Sequence, residues 1–188
     1  MTDVFISYRT ADEPMTAVLI KQALSARFGA RRIFLDNMSI DLGADFPPIL
    51  WAALRECRAV VAIIGSRWFA PGANGSRRVD DPEDFVRREL VEALKLGTRV
   101  IPVLVGDVRL SAVDLPAPLA ALADRQYLQI RTRAVEHDVN RLVDELARLI
   151  GLGAEPAEVA GTPGAAVVSN FYGEVKAPKA VFGISNGN

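Results

Sequence analysis

Ala59-Val60-Val61-Ala62-Ile63-Ile64 is the most apolar stretch of the chain. It shows no apolar–polar alternation, so both faces of the segment must be covered. Six such residues between Arg58 and Gly65 suit a central strand of a parallel sheet rather than a half-exposed one. Working outward, Val4-Phe5-Ile6 and Arg32-Ile33-Phe34-Leu35-Asp36 read as two earlier strands. Arg99-Val100-Ile101-Pro102-Val103-Leu104-Val105 and Gln126-Tyr127-Leu128-Gln129-Ile130 read as two later ones. Pro102 removes a donor from its strand and predicts an edge-facing or bulged position.

Helical patterns fill the gaps. Asp12 is placed to cap the first helix and Pro14 suits its first turn. Val18, Leu19, Ala23, Leu24 and Phe28 recur at helical spacing, and Gly29 closes the segment. Pro47 and Pro48 open a second helix with Ile49, Leu50, Ala53 and Leu54 on its apolar face. Residues 84–96, 115–123 and 135–150 give three more, and residues 66–81 form a long polar loop. Five strands alternating with five helices predict a parallel α/β sheet covered on both faces. Right-handed crossovers then gather the functional loops at the strands' C-terminal ends, after Ser7, Asp36, Gly65 and Val105. The domain is expected over 1–150, followed by a Gly/Ala/Pro/Glu-rich linker over 151–164 and a short non-domain tail over 165–188.

Composition removes several classes of function. With 188 residues, half of them apolar, one full core can be buried. The net charge of −1 is spread along the chain, which argues against nucleic acid or an anionic membrane as partner. One cysteine, Cys57, and one histidine, His137, supply neither a zinc site nor a Cys–His nucleophile pair. Cys57 sits in apolar surroundings and reads as a small core residue. No metal and no resident cofactor are expected. The start, Met1-Thr2-Asp3, lacks signal-peptide character, and no apolar run is long enough to span a bilayer. The cytoplasm is the expected location.

The loop after the first strand, Ser7-Tyr8-Arg9-Thr10-Ala11-Asp12, has no glycine, which excludes a dinucleotide fingerprint and a P-loop. No Asp ends the third strand, which excludes a phosphoacceptor receiver. What is present resembles the Toll/interleukin-1 receptor (TIR) domain family in its bacterial, NAD-cleaving branch. Val4-Phe5-Ile6-Ser7-Tyr8-Arg9 resembles the first box. Ile33-Phe34-Leu35-Asp36 with Ile40-Asp41-Leu42-Gly43-Ala44-Asp45-Phe46 resembles the second strand and BB loop. Cys57 to Ser66 resembles the third strand, Asp84-Phe85-Val86-Arg87-Arg88-Glu89-Leu90 the catalytic-helix signature, and Val100-Ile101-Pro102-Val103 the fourth strand. The resemblance covers residues 3–150 with all five boxes in order. It implies a flavodoxin-like, five-stranded parallel sheet, the TIR fold.

It also implies a reaction. Cleaving nicotinamide from ribose expels a neutral group from a cationic pyridinium, so no general acid is required, unlike ordinary glycoside hydrolysis. One carboxylate that steadies an oxocarbenium-like ribose suffices. The resemblance assigns this role to Glu89, with NAD+ as substrate. On residue type alone, Glu89 reads as a solvated carboxylate pairing with Arg87, Arg88 or Lys95, and the family signature reverses that reading. Phe46 matches the BB-loop aromatic lining the nicotinamide site. Arg9 matches a first-loop residue near the dinucleotide, where a cation suits the pyrophosphate, and its alternative is a surface salt bridge. Trp68 offers a stacking face or plain packing. Tyr8, Asp36 and Ser66 complete the candidate substrate-binding set with Phe85. Phe85 departs from the tryptophan usual at its position, keeping an apolar wall without the indole N–H. The run 70–81 is long enough to gate the cleft.

Family sites often complete themselves by stacking two TIR domains, so the resemblance implies homotypic self-association, with filaments as one form. The tail has a loose likeness to amyloid-type signalling motifs, in Val181-Phe182-Gly183-Ile184 and Val167-Val168-Ser169-Asn170-Phe171-Tyr172, although Pro178 opposes a continuous strand. A disordered tail or a peptide that docks on a sensor protein are the alternatives. Three functions follow: an NAD+ glycohydrolase effector of bacterial immunity or cell suicide, a non-enzymatic TIR adaptor, or a virulence factor mimicking host TIR domains.

Overall fold

The computed structural model describes residues 2–35, 48–72 and 75–151. Strands β1 (Val4–Ser7), β2 (Ile33–Leu35), β3 (Ala59–Ile64), β4 (Arg99–Val105) and β5 (Leu128–Ile130) form one sheet in the order β2-β1-β3-β4-β5. Every pairing is parallel. Helices α1 (Pro14–Phe28), α2 (Pro48–Glu56), α3 (Phe85–Lys95) and α4 (Val135–Ile150) cover its faces.

The unbroken apolar run of β3 has a direct explanation. Ala59, Val61 and Ile63 pack with α1 and α4 on one face. Val60, Ala62 and Ile64 pack with α2 and α3 on the other. All six are buried, so each successive side chain enters a core.

The chain runs from β1 outward to β2, then returns to lay β3 on the opposite side of β1. Strand order therefore reverses between β1 and β3, and the crevice at their C-terminal ends is where ligands bind in such sheets.

Five details depart from the sequence reading. On α2 the buried face is Leu50, Ala53 and Leu54, whereas Ile49 is exposed. The buried stripe of α1 is Ala17, Ile20, Leu24 and Phe28, whereas Val18 and Leu19 are about 40% exposed. Several registers fit so apolar a helix, and packing selects one. The segment 117–122 is a 3-10 helix rather than an α-helix. Pro116 and Pro118 limit regular backbone pairing there. Pro102 is not bulged, since it pairs in register with Ala62. β5 pairs only with Val103–Val105, so Pro102 stands just outside that ladder and the missing N–H interrupts nothing on β5. Finally, Glu13 rather than Asp12 occupies the N-cap of α1, and its side chain makes no cap hydrogen bond.

α4 ends at Ile150, and Gly151 takes the left-handed conformation at φ 58° that stops a helix. The linker 152–164 and the tail 165–188 lie outside the described residues. Among the described residues, no helix is long and apolar enough to cross a membrane.

Candidate active site

The site forms where β1 and β3 end. Ser7 is the last residue of β1 and is buried. Its Oγ donates to the Glu89 carboxylate at 2.6 Å. Glu89 is the fifth residue of α3 and is fully buried, which removes the solvated-carboxylate reading. A buried carboxylate costs several kcal/mol unless hydrogen-bonded, so the Ser7 hydroxyl is part of what lets Glu89 stand there.

A second tie joins the same two elements one helical turn away. Asp84 caps α3 by accepting the Arg87 N–H at 3.0 Å. It also holds Arg9 in a two-pronged pair at 2.7 and 2.8 Å, with both side chains 4% exposed. Arg78 approaches the same carboxylate at 3.5 Å. The Arg9 guanidinium lies 5.3 Å from the centre of the Trp68 ring, a cation–π distance. Arg9 is thus neither at the surface nor free for a pyrophosphate in this conformation: Asp84 neutralises it inside the protein.

Asp12 supplies the third tie. Its carboxylate accepts the backbone N–H groups of Gly65 and Arg67, each at 2.7 Å. This fastens the loop after β1 to the loop after β3. The two chains run so close that a Cβ at Gly65 would meet Glu13 Cγ at 2.4 Å and Asp12 Oδ1 at 2.6 Å. Glycine is required here for close approach.

The other candidates divide. Trp68 is buried beside Arg9, edge-on to Phe69 at 5.0 Å. Tyr8 is buried in the core on the α1 and α4 face. Phe85 is half-buried, with the Arg88 guanidinium 6.0 Å from its ring. Ser66 is exposed. Asp36 and Phe46 lie outside the described residues, as does the BB-loop Gly43. Of the run 70–81, residues 73 and 74 lie outside the described residues; Val79 is fully buried, and Pro71 bridges to Arg77.

Sequence reasoning missed Ser7, Asp12 and Asp84 as site residues. Asp84 carried a signal, an Asp immediately before a helical pattern. Ser7 and Asp12 carried none, because their partners stand 82 and 53 residues away.

A doubly wound parallel sheet with a buried, hydrogen-bonded carboxylate at its switch point is the class this geometry defines. Within that class the chain belongs to the TIR domain family, whose model matches residues 4–145. A curated relative, the "Probable 2' cyclic ADP-D-ribose synthase BdTIR" of Brachypodium distachyon, is 27% identical over 162 residues. That match covers 81% of this chain and 66% of the relative. Similar solved structures include the TIR domains of the activated Roq1 resistosome directly recognising the pathogen effector XopQ. They are 19% identical with a TM-score of 0.44, over 82% of this chain and 86% of that one. A metazoan TIR-STING receptor from C. gigas in complex with 2',3'-cGAMP is also 19% identical, with a TM-score of 0.40, over 78% of this chain and 38% of that one.

Proposed function

We propose that this chain cleaves NAD+ between nicotinamide and ribose, with Glu89 as its catalytic group. The observation that carries the reading is the buried Glu89 carboxylate, held by Ser7 at the switch point of a TIR-family sheet. The curated relative, named as a probable 2' cyclic ADP-D-ribose synthase, supports the same class of chemistry.

In the proposed reaction the C1′–N bond of the nicotinamide riboside breaks. Both bonding electrons leave with the ring nitrogen, which turns a pyridinium into neutral nicotinamide. The ribose gains oxocarbenium character, and the Glu89 carboxylate stabilises that positive charge. Water then adds to C1′ and loses a proton, giving ADP-ribose. A hydroxyl of the same molecule adding instead gives a cyclic isomer. Because Glu89 is buried in this conformation, the site must open before ribose reaches it. Self-assembly, with filaments as one form, is the proposed trigger, and the tail over 165–188 is the proposed route to a sensor. The proposed setting is bacterial immunity or cell suicide in the cytoplasm.

The test is nicotinamide release from NAD+ by concentrated protein, with products separated by chromatography. Wild type is expected to turn over, and Glu89→Gln, confirmed as folded by circular dichroism, to lose about 10²–10³-fold in rate. Equal rates in the two, or no release by either, would sink the reading.

The complete burial of Glu89 favours a second reading, a non-enzymatic adaptor in which Ser7 and Glu89 only join β1 to α3. That reading expects assembly with partner TIR domains that survives Glu89→Gln and fails on substitution of Gly43.

A further inference from the structure

Beside the Arg9–Asp84 pair lies a hollow of about 440 Å³. Its walls carry Arg9, Arg67 and Arg78 with Ala70, Pro71 and Gly72. We propose that this hollow is an anion subsite that takes phosphate groups of a nucleotide, gripped by Arg67 and Arg78. The proposal rests on the NAD-cleavage reading, since it names where the diphosphate of the dinucleotide would sit.

The charge balance carries the argument. Among the described residues, three guanidinium groups line the hollow and no acidic side chain does. Asp84 is bonded to Arg9 and stands 3.5 Å from Arg78. The nearby Asp12 carboxylate accepts from the neutral backbone N–H groups of Gly65 and Arg67 and keeps its charge. Against these two carboxylates the three guanidinium groups leave a net positive charge around the hollow. Arg67 and Arg78 are exposed, and guanidinium forks match phosphate oxygens. Arg9 lines the same hollow. Its Nε is buried without a hydrogen-bond partner among the described residues, and such a donor is costly unless something accepts from it.

The position also fits. Asp84 lies five residues before Glu89 on α3, and Ser7, which bonds Glu89, lies two before Arg9 on the chain. The same short segments thus present the carboxylate and the cationic hollow. The backbone bonds from Asp12 to Gly65 and Arg67 fix where the Arg67 side chain departs.

The experiment titrates inorganic pyrophosphate into the full chain at low salt by calorimetry, since screening weakens such contacts. Wild type is compared with Arg67→Gln/Arg78→Gln and with Arg125→Gln/Arg133→Gln, an equal loss of charge at exposed sites elsewhere. All four side chains are exposed, so folding is expected to be unaffected. Pyrophosphate is expected to bind wild type and the Arg125/Arg133 variant alike, and at least tenfold more weakly to the Arg67/Arg78 variant. With NAD+, the Arg67/Arg78 variant should show a KM raised about tenfold with little change in kcat, and its rate on nicotinamide riboside, which has no phosphate, should match wild type. No pyrophosphate binding by wild type, equal binding by all three, or an unchanged KM for NAD+ would overturn the subsite. Binding that depends on Arg67 and Arg78 in a protein that releases no nicotinamide would uphold the subsite and discard the cleavage reading.

Discussion

Ser7 and Glu89 form a contact whose value differs for stability and for chemistry. Removing the hydroxyl leaves a buried carboxylate short of one donor at 2.6 Å. Ser7→Ala should lower unfolding free energy by roughly 1.5–3 kcal/mol, the range for a hydrogen bond to a charged group. Chemical denaturation measures this, and Ser7→Thr, which keeps the hydroxyl, should recover part of it. An unchanged midpoint in Ser7→Ala would mean the hydroxyl does not support the carboxylate. Gly65 is a second point where one atom matters. A methyl there would overlap Asp12 Oδ1, which the Arg67 N–H holds in place while the Gly65 N–H holds Oδ2. Gly65→Ala should cost about 1–3 kcal/mol by overpacking and should loosen the loops that flank the site. Hydrogen exchange at Gly65 and Arg67 in the wild type, compared with position 67 in the variant, reports this directly. At Cys57, burial pushes the thiol up to about 12. Thiolate is the reactive form, so alkylation of the folded protein at pH 8 should be far slower than of unfolded chain.

Aspartates near their N-termini fasten two of the helices, α3 at the site and α4 away from it. On α3, Asp84 combines a cap with the paired Arg9. Breaking a buried pair by removing one partner strands the other charge, so Asp84→Ala should destabilise by about 3–5 kcal/mol. A loss below about 1 kcal/mol by urea unfolding would show the pair to be dispensable. On α4, Asp138 accepts from the Arg131 backbone at 2.9 Å and from its guanidinium at 2.9 and 2.6 Å, joining the end of β5 to the helix. Those hydrogen bonds hold the Asp138 carboxyl down to about 2, from an ordinary 3.8. The folded value is the lower one, so the stabilisation is fully present above the unfolded value and disappears as pH falls from about 4 towards 2. Asp138→Asn should flatten the stability profile in that window and leave its shape above pH 5 unaltered. An identical acid profile in the two proteins would contradict the contact.

The whole molecule places these contacts through its topology. Two separate cores, one on each face of the sheet, hold β1 and β3 rigidly side by side. The strand order reverses between them, and α3 places Glu89 against Ser7 at the C-terminal end of β1. A fully buried carboxylate at such a point sets a clear expectation for the intact protein. If self-assembly opens the site, specific activity should rise with protein concentration, and a chain ending at Gly151 should show whether residues 152–188 drive that rise. Sedimentation velocity run beside the NAD+ assay tests both. Specific activity independent of concentration and of assembly state would rule out the trigger.

The sequence by itself determined the order and kind of nearly every element, because local pattern suffices for them. The unalternating β3, the Gly and Pro punctuation, and the helical run from Asp84 to Leu96 each read correctly within one or two residues. It also singled out Glu89, through a signature confined to one short segment. What only the tertiary structure decided was the company Glu89 keeps. Ser7 meets it from another strand, Asp84 takes the arginine expected to face the dinucleotide, and Asp12 leaves its expected cap to fasten two loops. Those partnerships join residues 53 to 82 positions apart. Periodicity carries no trace of contacts at that range, because burial and the scarcity of partners in a dry crevice, not local propensity, choose which polar groups pair. Glu89, one acidic group among 23 in the chain, became a distinct chemical centre only when the sheet closed around it.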